Sequence, residues 1–211
     1  MSKSFDFTQI AEIQKDFLKE ITNIGAGRAA TSLSVMLNEP VVMRVPSVDF
    51  MSFNTIAERV GGDEQPVITI FLRFNGDVPG NVFFIVTPSG ARRLLRSLIS
   101  MIGESVDDQF SELEQSALCE IANLLASGYL IALNQFAKLN LQPTIPSFCY
   151  DMAGAILTVG YLQFGQMGDK ALLIDTTLEV GNEKIESHFF LIPDPDSFVT
   201  LFKALGVAVD E

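Results

Sequence analysis

Lys-Glu-Ile-Thr-Asn-Ile-Gly-Ala-Gly, residues Lys19 to Gly27, returns a hundred positions later as Cys-Glu-Ile-Ala-Asn-Leu-Leu-Ala-Ser-Gly, residues Cys119 to Gly128. A longer pattern repeats around these stretches in register: Asp16, Glu20, Asn23 and Pro46 are answered by Ser116, Glu120, Asn123 and Pro146. Glu, Asn and Pro each fill about a twentieth of positions in ordinary proteins, so two chance matches at one spacing are improbable. The chain therefore reads as an internal duplication. Two homologous halves, about 1–105 and 106–211, are expected to form one domain over 1–211.

The repeated stretches sit on helices by pattern. At about 100° per residue, Ile10, Ile13, Phe17, Leu18, Ile21, Ile24 and Gly25 share one broad face of a helix expected over Thr8 to Leu37. Asp16, Glu20, Asn23 and Gly27 form a narrow stripe beside it. The second copy places Ala117, Leu118, Ile121, Leu124 and Leu125 inside and Ser116, Glu120 and Asn123 outside, and Ser111 with Glu114 makes a capping box at its start. Val41 to Val48 reads as a strand broken near Pro46. A hairpin of Val67 to Phe74 with Asn81 to Val86 follows, then a helix opened by Pro88 and running to Leu98. The second half answers with Lys170 to Leu178, a turn at Gly181 and Asn182, Ser187 to Ile192, and a closing helix from Pro195 to Leu205. The expected fold is α+β, with pseudo-two-fold symmetry, a mostly antiparallel sheet shared by both halves, and two long motif-bearing helices.

Composition narrows the function. Of 211 residues 48% are apolar, enough to bury one substantial core. The net charge of −12 is spread along the chain, which argues against a nucleic-acid or anionic-membrane surface, where Lys and Arg gather. A protein partner or a small solute fits better. Cys119 and Cys149 form no CxxC pair and His188 is the lone histidine, so Cys and His cannot build a metal site. Free thiols, and a start at Met1 to Asp6 without a basic then apolar run, lead us to expect a cytoplasmic protein. Ile121 to Ala137 is the most membrane-like segment, but Asn123, Ser127, Asn134 and Gln135 interrupt it and it is short for a bilayer. It is expected to be a buried amphipathic helix, with no membrane insertion.

A carboxylate and a carboxamide three apart on a helix share a face and can reach one object docked there. Glu supplies a fixed negative charge that can hold a partner's lysine. Asn supplies both N–H donors and a C=O acceptor, which can grip a water and aim it. Neither is a good nucleophile, and no His or Cys is placed to activate one. Phosphoryl hydrolysis is the reaction for which water orientation suffices, because its loose transition state needs mainly in-line placement and charge neutralisation. An acyl phosphate on a partner's aspartate is already labile, and that partner would bring its own metal and lysine.

Carried on Lys19 to Gly27 and Cys119 to Gly128, the chain resembles the CheC/CheX/FliY family of phosphatases in bacterial and archaeal chemotaxis, over essentially its whole length. Two motif copies without an appended switch domain are similar to the CheC type within that family. The resemblance implies hydrolysis of the aspartyl phosphate of the response regulator CheY. It implies that Glu20 and Glu120 contact phosphorylated CheY, that Asn23 and Asn123 orient the attacking water, and that Asp16, Pro46, Ser116 and Pro146 position the site. It implies no cofactor of the chain's own, Mg2+ being carried by the regulator. It also implies docking of the receptor deamidase CheD on a short helix containing Asp151, Met152, Ala153 and Gly154. Thr22 and Ala122 stand where the family often has Gly, and side chains there are expected to alter how closely the regulator approaches.

Blander readings stand beside these. A lone Glu and Asn would be the solvated side of a helix; the duplication reverses that default. Gly25, Gly27 and Gly128 suit tight helix packing better than a phosphate loop, since no Lys follows. Cys119 reads as a small half-buried hydrophobe, His188 as a structural histidine among Phe189 and Phe190, and Phe17, Phe50, Phe53, Phe71, Phe83 and Phe84 as core. The rival function is a non-catalytic adaptor that sequesters CheD in response to phosphorylated CheY. A structural piece of the flagellar switch is a third reading, disfavoured because no further domain or long linker is present.

Overall fold

In the computed structural model, which describes residues 12–98, 109–164 and 170–204, each half repeats one order of elements. The first half runs α1 (Glu12–Leu37), β1 (Val41–Arg44), β2 (Val48–Ser52), α2 (Phe53–Arg59), β3 (Pro66–Gly76), β4 (Gly80–Val86) and α3 (Pro88–Leu95). The second runs α4 (Glu112–Ala137), β5 (Leu141–Pro143), β6 (Ser147–Met152), α5 (Ala153–Phe164), β7 (Lys170–Val180), β8 (Glu183–Pro193) and α6 (Pro195–Ala204). The expected start of the first helix before Glu12 lies outside the described residues.

Capping chemistry sets the helix boundaries. Ser111 Oγ accepts from the Glu114 N–H and the Glu114 carboxylate accepts from the Ser111 N–H at 2.8 Å, so the capping box is present at the head of α4. Both motif helices stop one residue before a left-handed turn, at Asn38 (φ 52°) and Lys138 (φ 54°), and the Leu139 N–H reaches back to the Asn134 carbonyl. Thr87 caps α3 and Pro88 fills its first turn, where a missing N–H costs nothing. The helix expected to Leu98 ends at Leu95 and tightens into a 3-10 turn over Arg96–Leu98.

All eight strands join one antiparallel sheet in the order β1-β7-β8-β4-β3-β5, with β2 continuing alongside β7 and β6 alongside β3. Strands of the two halves meet in the middle, where β4 pairs β8 from Gly80↔Pro193 to Val86↔Ser187. Side chains alternate across the sheet with the period of a strand. Leu172, Ile174, Phe189 and Leu191 enter the large core with α1 and α4. Leu173, Phe190 and Ile192 join Ile56 of α2, Val60 just after it and Ala153 of α5 in a smaller one.

The two motif helices cross where side chains are smallest. A Cβ on Gly25 would stand 2.9 Å from the Tyr129 Cα, and one on Gly128 would stand 2.8 Å from both the Ala29 Cβ and the Gly25 carbonyl oxygen. Gly27 faces open space and takes no part. By length and composition α4 is apolar enough to cross a bilayer. Here Leu118, Ile121, Leu125, Leu130 and Leu133 are instead buried in the core shared with α1 and the sheet.

Two expectations on the core change. Phe17 is 42% exposed, because it falls on the outer side of α1 near the polar stripe, while Phe71 and Phe83 are half-buried, their ring centroids 5.1 Å apart and their planes tilted by 52°. Phe84 is buried as expected, and the side chains of Phe50 and Phe53 lie outside the described residues. Asp151 and Met152 belong to strand β6, paired with Val67 and Pro66 of β3, and not to a short helix. That pairing is made with a partner more than eighty residues distant, which local helix propensity cannot foresee.

Candidate functional site

Helical spacing puts Asp16, Glu20 and Asn23 on one side of α1, and Ser116, Glu120 and Asn123 on one side of α4. Asp16, Glu20, Ser116 and Glu120 are exposed, and Asn23 and Asn123 are half-buried at the inner end of each stripe. Pro46 and Pro146 lie in the corners that join β1 to β2 and β5 to β6. Each corner is a bulge. Arg44 faces Thr177 and Val48 faces Ile174, so residues 45–47 stand against two. Pro143 faces Phe74 and Ser147 faces Phe71, so residues 144–146 likewise stand against two.

The sequence makes the sites look alike, and the hydrogen bonds distinguish them. At the first, the Asn23 Nδ2 donates to the Val45 carbonyl at 3.2 Å and to the Lys19 carbonyl at 3.0 Å. Its Oδ1 accepts from the Val45 N–H at 2.9 Å. Both amide hydrogens are thereby engaged and one acceptor position remains. At the second, Asn123 finds no hydrogen-bond partner among the described residues, so its whole carboxamide is available. The bulges differ accordingly: Val45 is 2% exposed, whereas Ile145, at the same place in the second copy, is 89% exposed.

Thr144 accounts for the difference. Its N–H donates to the Arg73 carbonyl at 2.7 Å and its hydroxyl accepts from the Arg73 N–H at 3.2 Å, which pins the second corner to β3. The first copy has Arg44 here, with no comparable hydroxyl. Helix α4 is tied to its strand farther along, where Asn134 accepts from the Leu141 N–H at 2.8 Å and donates to its carbonyl at 2.9 Å. Neither Val45 nor Ile145 carries a motif identity; the copies also fail to match at Gly25 and Leu125, which hints that the sites are unequal, but the mismatch of Arg44 with Thr144 is the one that bears on this corner.

Thr22 and Ala122 do not crowd the amides. Both are buried, Thr22 at 2% exposure with its hydroxyl donating to the Leu18 carbonyl at 2.9 Å, so they point into the core and away from any docked partner. Asp151 and Met152 are exposed on the edge of the sheet, but Ala153 is buried and the Gly154 N–H donates to the Asp63 carbonyl at 2.9 Å. Of the four residues expected to meet a second partner, the first two alone present side chains to solvent. Burial raises the Cys119 thiol above its ordinary pKa, and burial and then the Asp151 charge raise that of Cys149, so neither is an activated nucleophile. Among the described residues no group of three His, Cys, Asp or Glu side chains could hold a metal ion.

A second polar cluster lies on the other face of the sheet. Asp175, 7% exposed, takes hydrogen bonds from Arg59 and from Ser47 Oγ at 3.2 Å, and its Oδ1 lies 3.1 Å from His188 Nδ1. A cavity of about 280 Å3 opens beside it, lined by Pro46, Arg59, Lys184, Glu186 and His188. His188 is thus held by a buried carboxylate.

The profile of the CheC-like family matches residues 13–49 and 113–150, the two copies of helix, strand and corner. The CheY-P phosphatase CheC of Bacillus subtilis is 37% identical over 206 residues, covering 96% of this chain and 99% of that one. The flagellar motor switch phosphatase FliY of the same organism is 28% identical over 114 residues, 54% of this chain and 29% of that one. Among solved structures, Thermotoga maritima FliY superposes with a TM-score of 0.74 at 16% identity, covering 94% of this chain and 98% of that one, a likeness of fold.

Proposed function

This chain belongs to the CheC-like family, and we propose that it is a phosphatase that hydrolyses the aspartyl phosphate of the chemotaxis regulator CheY, acting mainly through Asn123 on α4. The observation that carries this reading is the unengaged carboxamide of Asn123 beside an exposed Glu120 one turn earlier. Glu120 pairs with a lysine of the docked regulator, which sets the helix over the phosphate. The Asn123 Oδ1 accepts from a water and fixes its lone pair toward phosphorus. The water oxygen bonds to phosphorus as the bond to the regulator's aspartate breaks; the carboxylate leaves with that electron pair and the water's proton departs with inorganic phosphate. Mg2+ and the charge-neutralising lysine belong to the regulator, and this chain supplies placement alone.

Glu20 and Asn23 form the corresponding site on α1, where the bonds to Val45 leave one acceptor position for a water. Ser116, Asp16, Pro146 and Pro46 position the stripes and their corners. The test is phosphate release from phosphorylated CheY by wild type, Asn23→Ala and Asn123→Ala side by side. Wild-type rates in both single variants and in their combination would falsify the catalytic reading.

CheD is proposed as a second, cytoplasmic partner, meeting the exposed Asp151 and Met152 on β6. Substituting Asp151 by Lys should weaken CheD binding and leave hydrolysis intact. Loss of both together would favour the adaptor reading, in which the stripes only dock phosphorylated CheY.

A further inference from the structure

At the second corner the chain exposes an apolar side chain that the first corner hides. Building on the reading that Asn123 orients the water, we propose that Ile145 is a positioning residue, the apolar contact by which the phosphorylated receiver domain is seated on α4. A single exposed hydrophobe is ordinarily unremarked on a protein surface. Three observations separate this one.

First, Ile145 immediately precedes the motif residue Pro146, and it occupies the bulge position whose counterpart in the first copy, Val45, bonds Asn23 through its backbone. Second, the corner is held rigidly: Thr144 bonds the Arg73 backbone, and the Arg73 guanidinium bonds both carboxylate oxygens of Asp194 at 2.5 and 3.2 Å. A side chain carried on a fixed corner loses little freedom when it is covered, which favours binding. Third, the polar stripe ends in a second exposed hydrophobe, Leu113, 60% exposed and three residues before Ser116. The second motif copy thus offers, beside its acid and amide, two exposed apolar side chains that a docked receiver domain can cover. At the first site Val45 is spent on the core, and no such contact is offered from that position.

The experiment measures steady-state phosphate release against the concentration of phosphorylated CheY for wild type, Ile145→Ser, Ile145→Leu and Asn123→Ala, with thermal melts of each. Ile145→Ser is expected to raise KM roughly tenfold with kcat nearly unchanged, as loss of one covered aliphatic contact requires, and Ile145→Leu should recover most of it. Asn123→Ala is expected to lower kcat. An unaltered KM in Ile145→Ser while Asn123→Ala is inactive overturns the inference and leaves the phosphatase reading standing. A fall in kcat in Ile145→Ser with KM unchanged overturns it as well. Wild-type turnover by Asn123→Ala removes the underlying reading and this inference with it.

Discussion

A carboxamide offers two hydrogens and two acceptor positions, and at Asn23 three of the four are already taken by Lys19 and Val45. Asn23→Ala would leave the N–H and the carbonyl of the buried Val45 without partners, which costs about 2 kcal/mol. Its melting temperature should drop while phosphate release stays close to wild type. Asn123→Ala breaks no hydrogen bond to the described residues, so its melting curve should overlay the wild type. Its kcat should fall about a hundredfold, the usual penalty for a misplaced reactant. Equal losses of activity from the two variants would contradict the asymmetry. The identities of Glu20, Asn23, Glu120 and Asn123 were legible from their spacing alone. Which amide is free was not, because that depends on where Val45 and Ile145 are carried by strands that pair with β7 and β3.

Helices were the most legible elements, since their period is written in consecutive residues. The crossing of α1 and α4 rests on Gly25 and Gly128, and a methyl group on Gly128 has no room against Ala29 and the Gly25 backbone. Gly128→Ala should therefore push the helices apart and cost about 1 to 3 kcal/mol, read as a lower urea midpoint with an unchanged slope. Gly27→Ala, on open surface, serves as the control. At the head of α4, Ser111→Ala removes one half of a reciprocal cap and should cost about 1 kcal/mol by the same measurement. Strand β6 was less legible than the helices. Cys149, Tyr150 and Asp151 are strand residues because Thr69, Ile68 and Val67 lie alongside them, and nothing in their own neighbourhood says so.

Across the whole molecule, Asp175 links the halves: Ser47 and Arg59 come from the first, Asp175 and His188 from the second. Burial by itself raises the Asp175 carboxyl, but hydrogen bonds from Arg59 and His188, with their charges, outweigh it and hold the group below its ordinary 3.8. A carboxylate depressed by folding adds stability that is complete above that range and is lost as pH falls through the folded value. Arg59→Met should therefore be destabilised at neutral pH, with the gap from wild type narrowing as pH falls below the ordinary carboxylate value of 3.8, as followed by urea midpoints. A gap independent of pH would mean that Arg59 acts by packing alone. The duplicated spacing and the periodicity of the long helices determined, without coordinates, that this is an α+β protein with two acid-and-amide stripes, because those properties reside in residues close along the chain. Only the tertiary structure decided that the stripes are unequal, that Ile145 stands out where Val45 is buried, and that Asp175 binds the halves together. Each of those depends on which distant strand claims a backbone group first, and a hydrogen bond given to one partner is no longer available to another.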